Sequence, residues 1–275
     1  MAEIYDDRLC ELGEGPLWHP DRGELFWFDI LGKRLYTKTR DWSFDEAHSA
    51  AGWIDHDTLL IASETGLWMF DIDDGARTLV APLEADNSAT RSNDGRADPH
   101  GGFWIGTMGR TAEPGAGAIY RYYRGEIRKM FDRITICNSI CFAPQGDRMY
   151  FSDTAAKTIW TVALDGQGWP VAGRQLFVEA EGCDGAICDA DGYIWSARWG
   201  AGKIVRHAPD GRVDHVEHLP VAQVTCPALT PEGALYATTA YEGMDAAARA
   251  ADPLSGAVFH VCDGVPGCGE PRVIL

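Results

Sequence analysis

Two short runs, Leu25-Phe-Trp-Phe-Asp29 and Gly32-Lys-Arg-Leu-Tyr36, decide the fold, because paired runs of the same kind recur along the chain. Each run is apolar or aromatic and is bounded by Gly, Asp or Pro, which is typical of β-strands separated by turns. The first members of the other pairs are Thr58–Ala62, Phe103–Thr107, Met149–Asp153, Tyr193–Ala197 and Ala234–Thr238. The second members are Gly66–Phe70, Gly117–Arg121, Lys157–Trp160, Gly202–Arg206 and Gly256–His260.

The spacing of these pairs predicts the architecture. Six pairs in a chain of 275 residues give about 46 residues per unit, a spacing typical of propeller blades. Each unit has room for four strands, and a radial array of small sheets protects its edges and encloses a channel. We therefore predict an all-β fold, a single six-bladed β-propeller domain over residues 1–275. The alternative is two all-β sandwiches, but the composition break near residue 140 that would favour them is absent.

The composition limits the partners. There are 41 acidic and 24 basic residues, a net charge of −17, which argues against binding to nucleic acid. No apolar stretch reaches the roughly 18 residues of a membrane helix, and Met1–Asp7 shows no signal-peptide pattern. The eight cysteines lie mostly in apolar runs and are expected to be reduced. We expect a cytoplasmic protein, a monomer or weak homo-oligomer, that binds a small molecule and no membrane.

The sixth unit contains an insertion between its two quoted runs. This insertion begins at Tyr241 and ends at Ser255. Its Ala-rich run Asp245–Ala251 is the best short helix candidate in the chain.

In five of the six units a further short run precedes the pair and is expected to lie beside the channel. These runs are Gly15–Pro20, Gly95–Pro99, Ser139–Pro144, Gly185–Asp189 and Pro227–Pro231.

Polar residues occupy one register at the start of these channel runs. Glu14 and Asn138 lie 13 residues before the central aromatic residue of the following run, whereas Asn93, Asp184 and Thr225 lie 11 residues before it. A longer hairpin in the first and fourth units absorbs the difference. Because radial symmetry brings equivalent positions together, two carboxylates and two carboxamides should converge at one mouth of the channel.

This set of oxygen donors is chemically suited to a hard cation. Carboxylate and amide oxygens without His or Cys favour Ca²⁺, Mg²⁺ or Mn²⁺ over copper or a structural zinc ion. Without a cation, the two carboxylates would repel each other and one would take up a proton. The alternative is that Asn93-Asp-Gly95 and Cys183-Asp-Gly185 are only turn formers.

Several motifs together resemble the gluconolactonase/regucalcin (senescence marker protein) family of sugar lactonases, in order from residue 8 to residue 261. They are Glu11–Pro20 with Leu25–Ile30, Arg91–Pro99 with Phe103–Met108, Ile136–Ile140 with Tyr150–Asp153, Asp184–Trp195, and Gly243–Asp245 before Gly256–Phe259.

The resemblance implies a six-bladed propeller and assigns roles to residues. In the family a Glu, an Asn and an Asp hold the metal ion, and these roles fall on Glu14, Asn138 and Asp184. A second Asn in the family binds substrate or a metal-bound water, and this role falls on Asn93. An Arg two residues before it contacts sugar hydroxyls or a carboxylate, which implies this role for Arg91.

A further substrate contact is implied for Glu113 by position. The following residues, Pro114-Gly-Ala116, depart from the common family pattern.

The implied function is metal-dependent hydrolysis of a sugar-acid lactone, either an aldonolactone or an aldarolactone, to the open acid. Asp184 would both bind the cation and remove a proton from water. The cofactor would be one divalent cation. Ca²⁺ is the preferred candidate, and Mg²⁺, Mn²⁺, Zn²⁺ and Fe²⁺ are the alternatives. A related metal-dependent esterase or organophosphate hydrolase and a non-catalytic calcium-binding propeller are the competing functions. The sequence has no Gly-x-Ser-x-Gly motif, which argues against an α/β-type serine hydrolase.

Overall fold

The computed structural model describes residues 2–275 and contains six four-stranded antiparallel sheets in a ring, which confirms the predicted six-bladed β-propeller. The strands of the first three blades, after β1 (Glu3–Asp6), are β2 (Gly13–His19), β3 (Glu24–Asp29), β4 (Arg34–Tyr36), β5 (Asp41–Ser43), β6 (His48–Asp55), β7 (Thr58–Ser63), β8 (Gly66–Asp71), β9 (Arg77–Pro82), β10 (Thr90–Ala97), β11 (Phe103–Gly109), β12 (Gly117–Tyr123) and β13 (Glu126–Ile134). The remaining strands are β14 (Cys137–Phe142), β15 (Arg148–Asp153), β16 (Thr158–Ala163), β17 (Gln175–Glu179), β18 (Cys183–Cys188), β19 (Ile194–Arg198), β20 (Lys203–His207), β21 (Val213–His218), β22 (Val224–Leu229), β23 (Leu235–Thr239) and β24 (Val258–Cys262).

Blades 1 to 5 are formed by consecutive groups of four strands, β2–β5, β6–β9, β10–β13, β14–β17 and β18–β21. The paired runs of the sequence form the second and third strands of every blade, as predicted, and the five predicted channel runs lie in innermost strands. The innermost strand of blade 2, β6, was not among the predicted channel runs.

The ring is closed by the N-terminal strand. Blade 6 has the order β22-β23-β24-β1, so β1 is its outer strand and pairs with β24 through Glu3 opposite His260. Hydrogen bonds between the two ends of the chain therefore complete the last sheet.

One short helix lies in the insertion of blade 6, where the sequence predicts it. Helix α1 (Ala246–Ala251) is capped by Asp245, whose Oδ1 accepts the N–H of Ala248 at 2.8 Å. Within residues 2–275, no helix has the length and apolar character required to cross a membrane.

The core consists of six hydrophobic clusters, one between each pair of neighbouring blades. The strand period of two explains this arrangement, because alternate residues of a strand face opposite sides of the sheet. In β7, Leu59 and Ile61 pack against blade 1, whereas Leu60 and Ala62 pack against blade 3. Each blade is thus apolar on both faces and requires two neighbours, which a ring supplies.

The C-terminal segment contacts several blades at the end of the channel away from Glu14. Ala190 donates to the carbonyl of Pro266 at 2.8 Å, and Val273 donates to the carbonyl of Trp53 at 2.9 Å. Glu270 forms a buried ion pair with Arg96 of β10. The segment therefore links blades 2, 3 and 5.

A buried ion pair recurs in two blades. In blade 3, Asp98 accepts from the Trp104 indole at 2.8 Å and from Arg121 Nε at 2.7 Å, and the side chains of this ion pair are 0% exposed. In blade 5, Asp189 binds Arg206 at 2.7 Å, but Arg206 is 16% exposed and also contacts Asp214.

These two pairs predict unequal stability losses. Asp98→Ala leaves the Arg121 charge buried without a counter-ion, which costs about 3–5 kcal/mol of unfolding free energy. Asp189→Ala should cost less, because Arg206 keeps Asp214 and reaches solvent. Urea denaturation of both variants measures the difference. Equal losses would contradict this account of the Arg121 site.

Candidate functional site

A cavity of about 320 Å³ opens at one mouth of the channel. All four residues of the predicted polar register, Glu14, Asn93, Asn138 and Asp184, line it. The other lining residues are Leu12, Arg91, Met108, Arg110, Thr111, Ala112, Ile136, Thr154, Trp199 and Glu242. The predicted convergence of side chains from four blades at one place is therefore observed.

A repeated backbone irregularity places these side chains. In every blade the pairing of the innermost strand with the second strand shifts near the cavity, and such β-bulges redirect side chains. The shifts fall between Glu14 and Leu17, His48 and Ala50, Ser92 and Gly95, Asn138 and Cys141, Cys183 and Ala186, and Val224 and Pro227.

Two of the bulges contain a residue in the left-handed region directly after a predicted metal ligand. Gly15 has a φ of 54°, and a Cβ there would lie 2.2 Å from the carbonyl oxygen of Ser49. Ser139 has a φ of 58° although it is not glycine. Its hydroxyl donates to the carbonyl oxygen of Asp184 and accepts from Ser152 at 3.0 Å. These bonds hold the strained backbone that follows Asn138.

A hydrogen-bond chain fixes the amide orientations across blades 3 and 4. Arg91 Nη1 donates to Asn93 Oδ1 at 2.6 Å, and Asn93 Nδ2 donates to Asn138 Oδ1 at 3.0 Å. Asn138 Nδ2 donates to the Thr154 hydroxyl at 2.8 Å, which donates to the Cys183 carbonyl at 2.6 Å. Since the Asn138 amide nitrogen is bound to Thr154, its oxygen is the atom available as a ligand.

The equivalent positions of the other two blades are closed to the cavity. Ser49 of blade 2 donates its hydroxyl hydrogen bond to Ser92 at 2.8 Å. Thr225 of blade 6, which shares the predicted register, donates to the carbonyl of Gly13 at 2.5 Å. These two hydroxyls therefore stabilise the inner ring rather than line the site.

The carboxyl groups of Glu14 and Asp184 are buried and close enough to repel each other. Burial, followed by the charge of Asp94, raises the pKa of Glu14 to about 8. Burial and then the charge of Glu14 raise the pKa of Asp184 well above its usual range. Asp94, whose Oδ2 accepts the N–H of Ile140 at 2.7 Å, has a pKa of about 6 because it is buried. The raised pKa values mean that the ionised carboxylates are disfavoured in this buried region unless a positive charge balances them.

This arrangement fits a bound divalent cation. Among residues 2–275, the side-chain oxygens of Glu14 and Asp184 have no cationic hydrogen-bond partner, and Glu14 Oε2 accepts only the N–H of Gly15, at 3.1 Å. The described residues contain no cluster of three or more His, Cys, Asp or Glu side chains suited to a metal. A site here would use two carboxylates and the Asn138 amide oxygen, a hard-donor set that suits Ca²⁺, Mg²⁺ or Mn²⁺.

Glu113 lies outside the cavity lining. It follows Ala112, which has a φ of 58°, and its exposed carboxylate accepts the Thr111 hydroxyl at 2.5 Å and the Thr111 N–H at 3.2 Å. The loop thus brings Thr111 and Ala112 to the cavity, and the carboxylate folds back on its own loop. A substrate contact by Glu113 stays a prediction.

Sequence reasoning did not single out several lining residues. Thr154, Arg110 and Glu242 each follow the end of a strand, and Thr154 begins a short 3-10 helix, Thr154–Ala156. Thr154 comes directly after the Asp153 that ends β15, and this position was the only signal for it. For Glu242 the signal was its place in the insertion.

Comparison with known proteins settles the family. The description "SMP-30/Gluconolactonase/LRE-like region" matches residues 12–241. The chain belongs to this family.

Two relatives and one solved structure show how similar this chain is to known proteins. L-arabinolactonase of Azospirillum brasilense is 36% identical over 94% of this chain and 91% of its own length. The 6-deoxy-6-sulfogluconolactonase of Pseudomonas putida is 34% identical over 94% of each chain. The crystal structure of a calcium-binding protein, regucalcin, from Agrobacterium tumefaciens superposes with a TM-score of 0.97 at 40% identity, covering 100% of this chain and 98% of that one. The family resemblance predicted from the motifs is confirmed.

The charge arrangement predicts opposite effects of Glu14→Gln with and without a cation. In metal-stripped protein, removal of one repelling carboxylate should raise Tm above that of the unaltered protein. Saturating Ca²⁺ should raise the Tm of the unaltered protein by roughly 5 °C and that of the variant much less. Differential scanning calorimetry measures both values.

The matched control is Glu232→Gln, which removes the same charge from an exposed turn between β22 and β23. It should leave the Ca²⁺ response unchanged. A Tm of the unaltered protein that responds to no divalent cation would contradict a cation site between Glu14 and Asp184.

Proposed function

We propose that this protein hydrolyses the ring ester of a sugar-acid lactone to the open acid, with one divalent cation, Ca²⁺ first, as cofactor. The observation that carries the proposal is the convergence of Glu14, Asn138 and Asp184 in one cavity beside Arg91 and Asn93. Relatives at 33–41% identity are named as lactonases, in agreement with the enzyme class predicted from the sequence.

The cavity suits a small polar substrate. Its volume of about 320 Å³ lies in the range of ligand pockets and would admit a single sugar ring. Arg91 lines the cavity and donates through Nη1 to Asn93 and to the carbonyl of Ser92, and its Nε and Nη2 atoms donate to no atom of the described residues. This fork is suited to two neighbouring oxygen atoms of a substrate.

The cation, when bound, would polarise the ester carbonyl and stabilise the negative oxygen that develops on it. Asp184 would accept a proton from the attacking water, because its carboxylate lines the cavity and receives no hydrogen bond from a cationic side chain. Asn93 orients two partners, since it accepts from Arg91 and donates to Asn138.

A thiol nucleophile does not fit the site. Cys137 and Cys183 adjoin Asn138 and Asp184 in the sequence, but both thiols are buried. Burial raises the pKa of each thiol, so the nucleophilic thiolate is disfavoured. Attack by water is therefore preferred over a covalent thioester route.

We also propose that the protein acts in the cytoplasm, in carbohydrate metabolism. All eight cysteines are free, six of them buried and two partly buried. Unpaired thiols are typical of a reducing compartment.

The proposal predicts that Asp184→Asn lowers kcat/KM for a sugar lactone by at least about 100-fold, because the proton acceptor is lost. The measurement is a pH-indicator assay on metal-stripped protein with one cation restored at a time, using gluconolactone, xylonolactone, L-arabinonolactone and galactarolactone. Asp191→Asn, in the exposed turn between β18 and β19, is the matched control and should keep full activity.

The outcomes separate the competing functions. Full activity in Asp184→Asn or in metal-stripped protein would overturn the proposal. Tight cation binding without turnover of any ester would favour a non-catalytic calcium-binding propeller. Turnover of a fluorophosphate with no lactone turnover would favour an organophosphate hydrolase.

A further inference from the structure

Glu242 is held at the mouth of the cavity by a tight turn. Met244 donates its N–H to the carbonyl of Tyr241 at 3.0 Å, and Gly243 between them has a φ of 71°. Glycine at this place with positive φ is typical of a type II turn, with Glu242 as its first central residue. The Glu242 carbonyl also accepts from Gln223 Nε2 at 3.0 Å. The backbone that carries the carboxylate is therefore fixed on both sides.

The carboxylate itself has no partner among the described residues. It is half-buried and lines the cavity, and no described side chain donates to it or forms an ion pair with it within 4.0 Å. Burial raises the pKa of Glu242, and the nearby positive charge of Arg91 partly offsets this effect. An ionised carboxylate can only accept hydrogen bonds, so a substrate group that binds the Glu242 carboxylate by a hydrogen bond must be a donor.

The positive charges at the cavity are already balanced by negative ones, so none is left to pair with a substrate carboxylate. Arg110 Nη2 contacts Glu64 Oε2 at 2.5 Å and Nη1 contacts Oε1 at 3.2 Å, so its charge is already neutralised. The three lining carboxylates are those of Glu14, Asp184 and Glu242. Arg91 and one divalent cation together balance these three negative charges. A substrate carboxylate would add an unbalanced charge in a partly desolvated site, which is unfavourable.

We propose that Glu242 is a specificity-determining residue that accepts hydrogen bonds from the hydroxyl groups of an uncharged lactone and disfavours lactones that carry a carboxylate. The inference rests on the proposed lactonase activity and narrows its substrate class from aldono- or aldarolactones to aldonolactones. Arg91 and Glu242 then act together, one as donor and one as acceptor, on hydroxyl groups of the same ring.

The test compares an uncharged substrate, L-arabinonolactone, with a carboxylate-bearing one, galactarolactone, in the Ca²⁺-loaded protein. Glu242→Gln keeps the shape and removes the charge. It should raise KM for L-arabinonolactone about fivefold, because a charged hydrogen-bond acceptor becomes neutral. The value of kcat should stay within about threefold of that of the unaltered protein. The ratio of kcat/KM values, L-arabinonolactone over galactarolactone, should fall at least about tenfold.

Two further variants test whether the change in selectivity comes from the negative charge of Glu242 itself. Glu242→Asp keeps the negative charge and should keep the selectivity ratio within about threefold of the unaltered protein. Glu232→Gln removes a charge from the exposed turn between β22 and β23 and should change neither parameter. Tm values within a few degrees of the unaltered protein show that the variants fold.

The failures of the two proposals are distinguishable. An active protein whose selectivity ratio is unchanged by Glu242→Gln, or is already in favour of galactarolactone, overturns the role of Glu242 alone. A protein that hydrolyses neither lactone overturns the proposed function and the role of Glu242 with it.

Discussion

Two carboxyl groups far apart in the sequence, those of Glu14 and Asp184, are buried together at one mouth of the propeller channel. Their mutual repulsion and their loss of hydration are unfavourable unless a positive charge lies between them. No basic side chain of the described residues binds either group directly. The hydrogen bonds around the site fit this constraint, since they leave the Asn138 amide oxygen available to a cation and direct Arg91 to Asn93 rather than to either carboxyl group.

The fold meets this constraint by placing the site on rigid innermost strands. The six inter-blade clusters hold the sheets in position, and the bulge in each innermost strand redirects side chains toward the axis. Precise positioning is easier on strands than on loops. The site is asymmetric although the scaffold is repetitive, because Ser49 and Thr225 bind protein atoms at the equivalent places in blades 2 and 6.

The sequence alone was enough to predict the architecture and those residues of the site that lie on strands. The repeated pairs predicted the two middle strands of each blade, because strand burial has a period of two and turns contain Gly, Pro and Asp. The register of Glu14 and Asp184 was predictable because equivalent positions of a ring must meet. Strand β6 (His48–Asp55) was missed, since its centre consists of small residues such as Ala50, which give a weak apolar signal in the sequence.

Loop residues could not be placed from the sequence for a physical reason. The direction of a loop side chain depends on one or two backbone angles, such as the positive φ of Ala112 before Glu113 and of Gly243 after Glu242. Glu113 turns away from the cavity and Glu242 lines it, although both are acidic residues in polar loops. Ring closure by β1 likewise depends on contacts between distant ends of the chain.

The most direct test of the cation site is X-ray anomalous scattering from crystals grown with Mn²⁺. The account predicts one strong peak per chain, in contact with the carboxylates of Glu14 and Asp184 and with the amide oxygen of Asn138. It also predicts that the peak is lost in Glu14→Gln crystals. No peak between these side chains, or a peak that persists undiminished in the variant, would contradict the account.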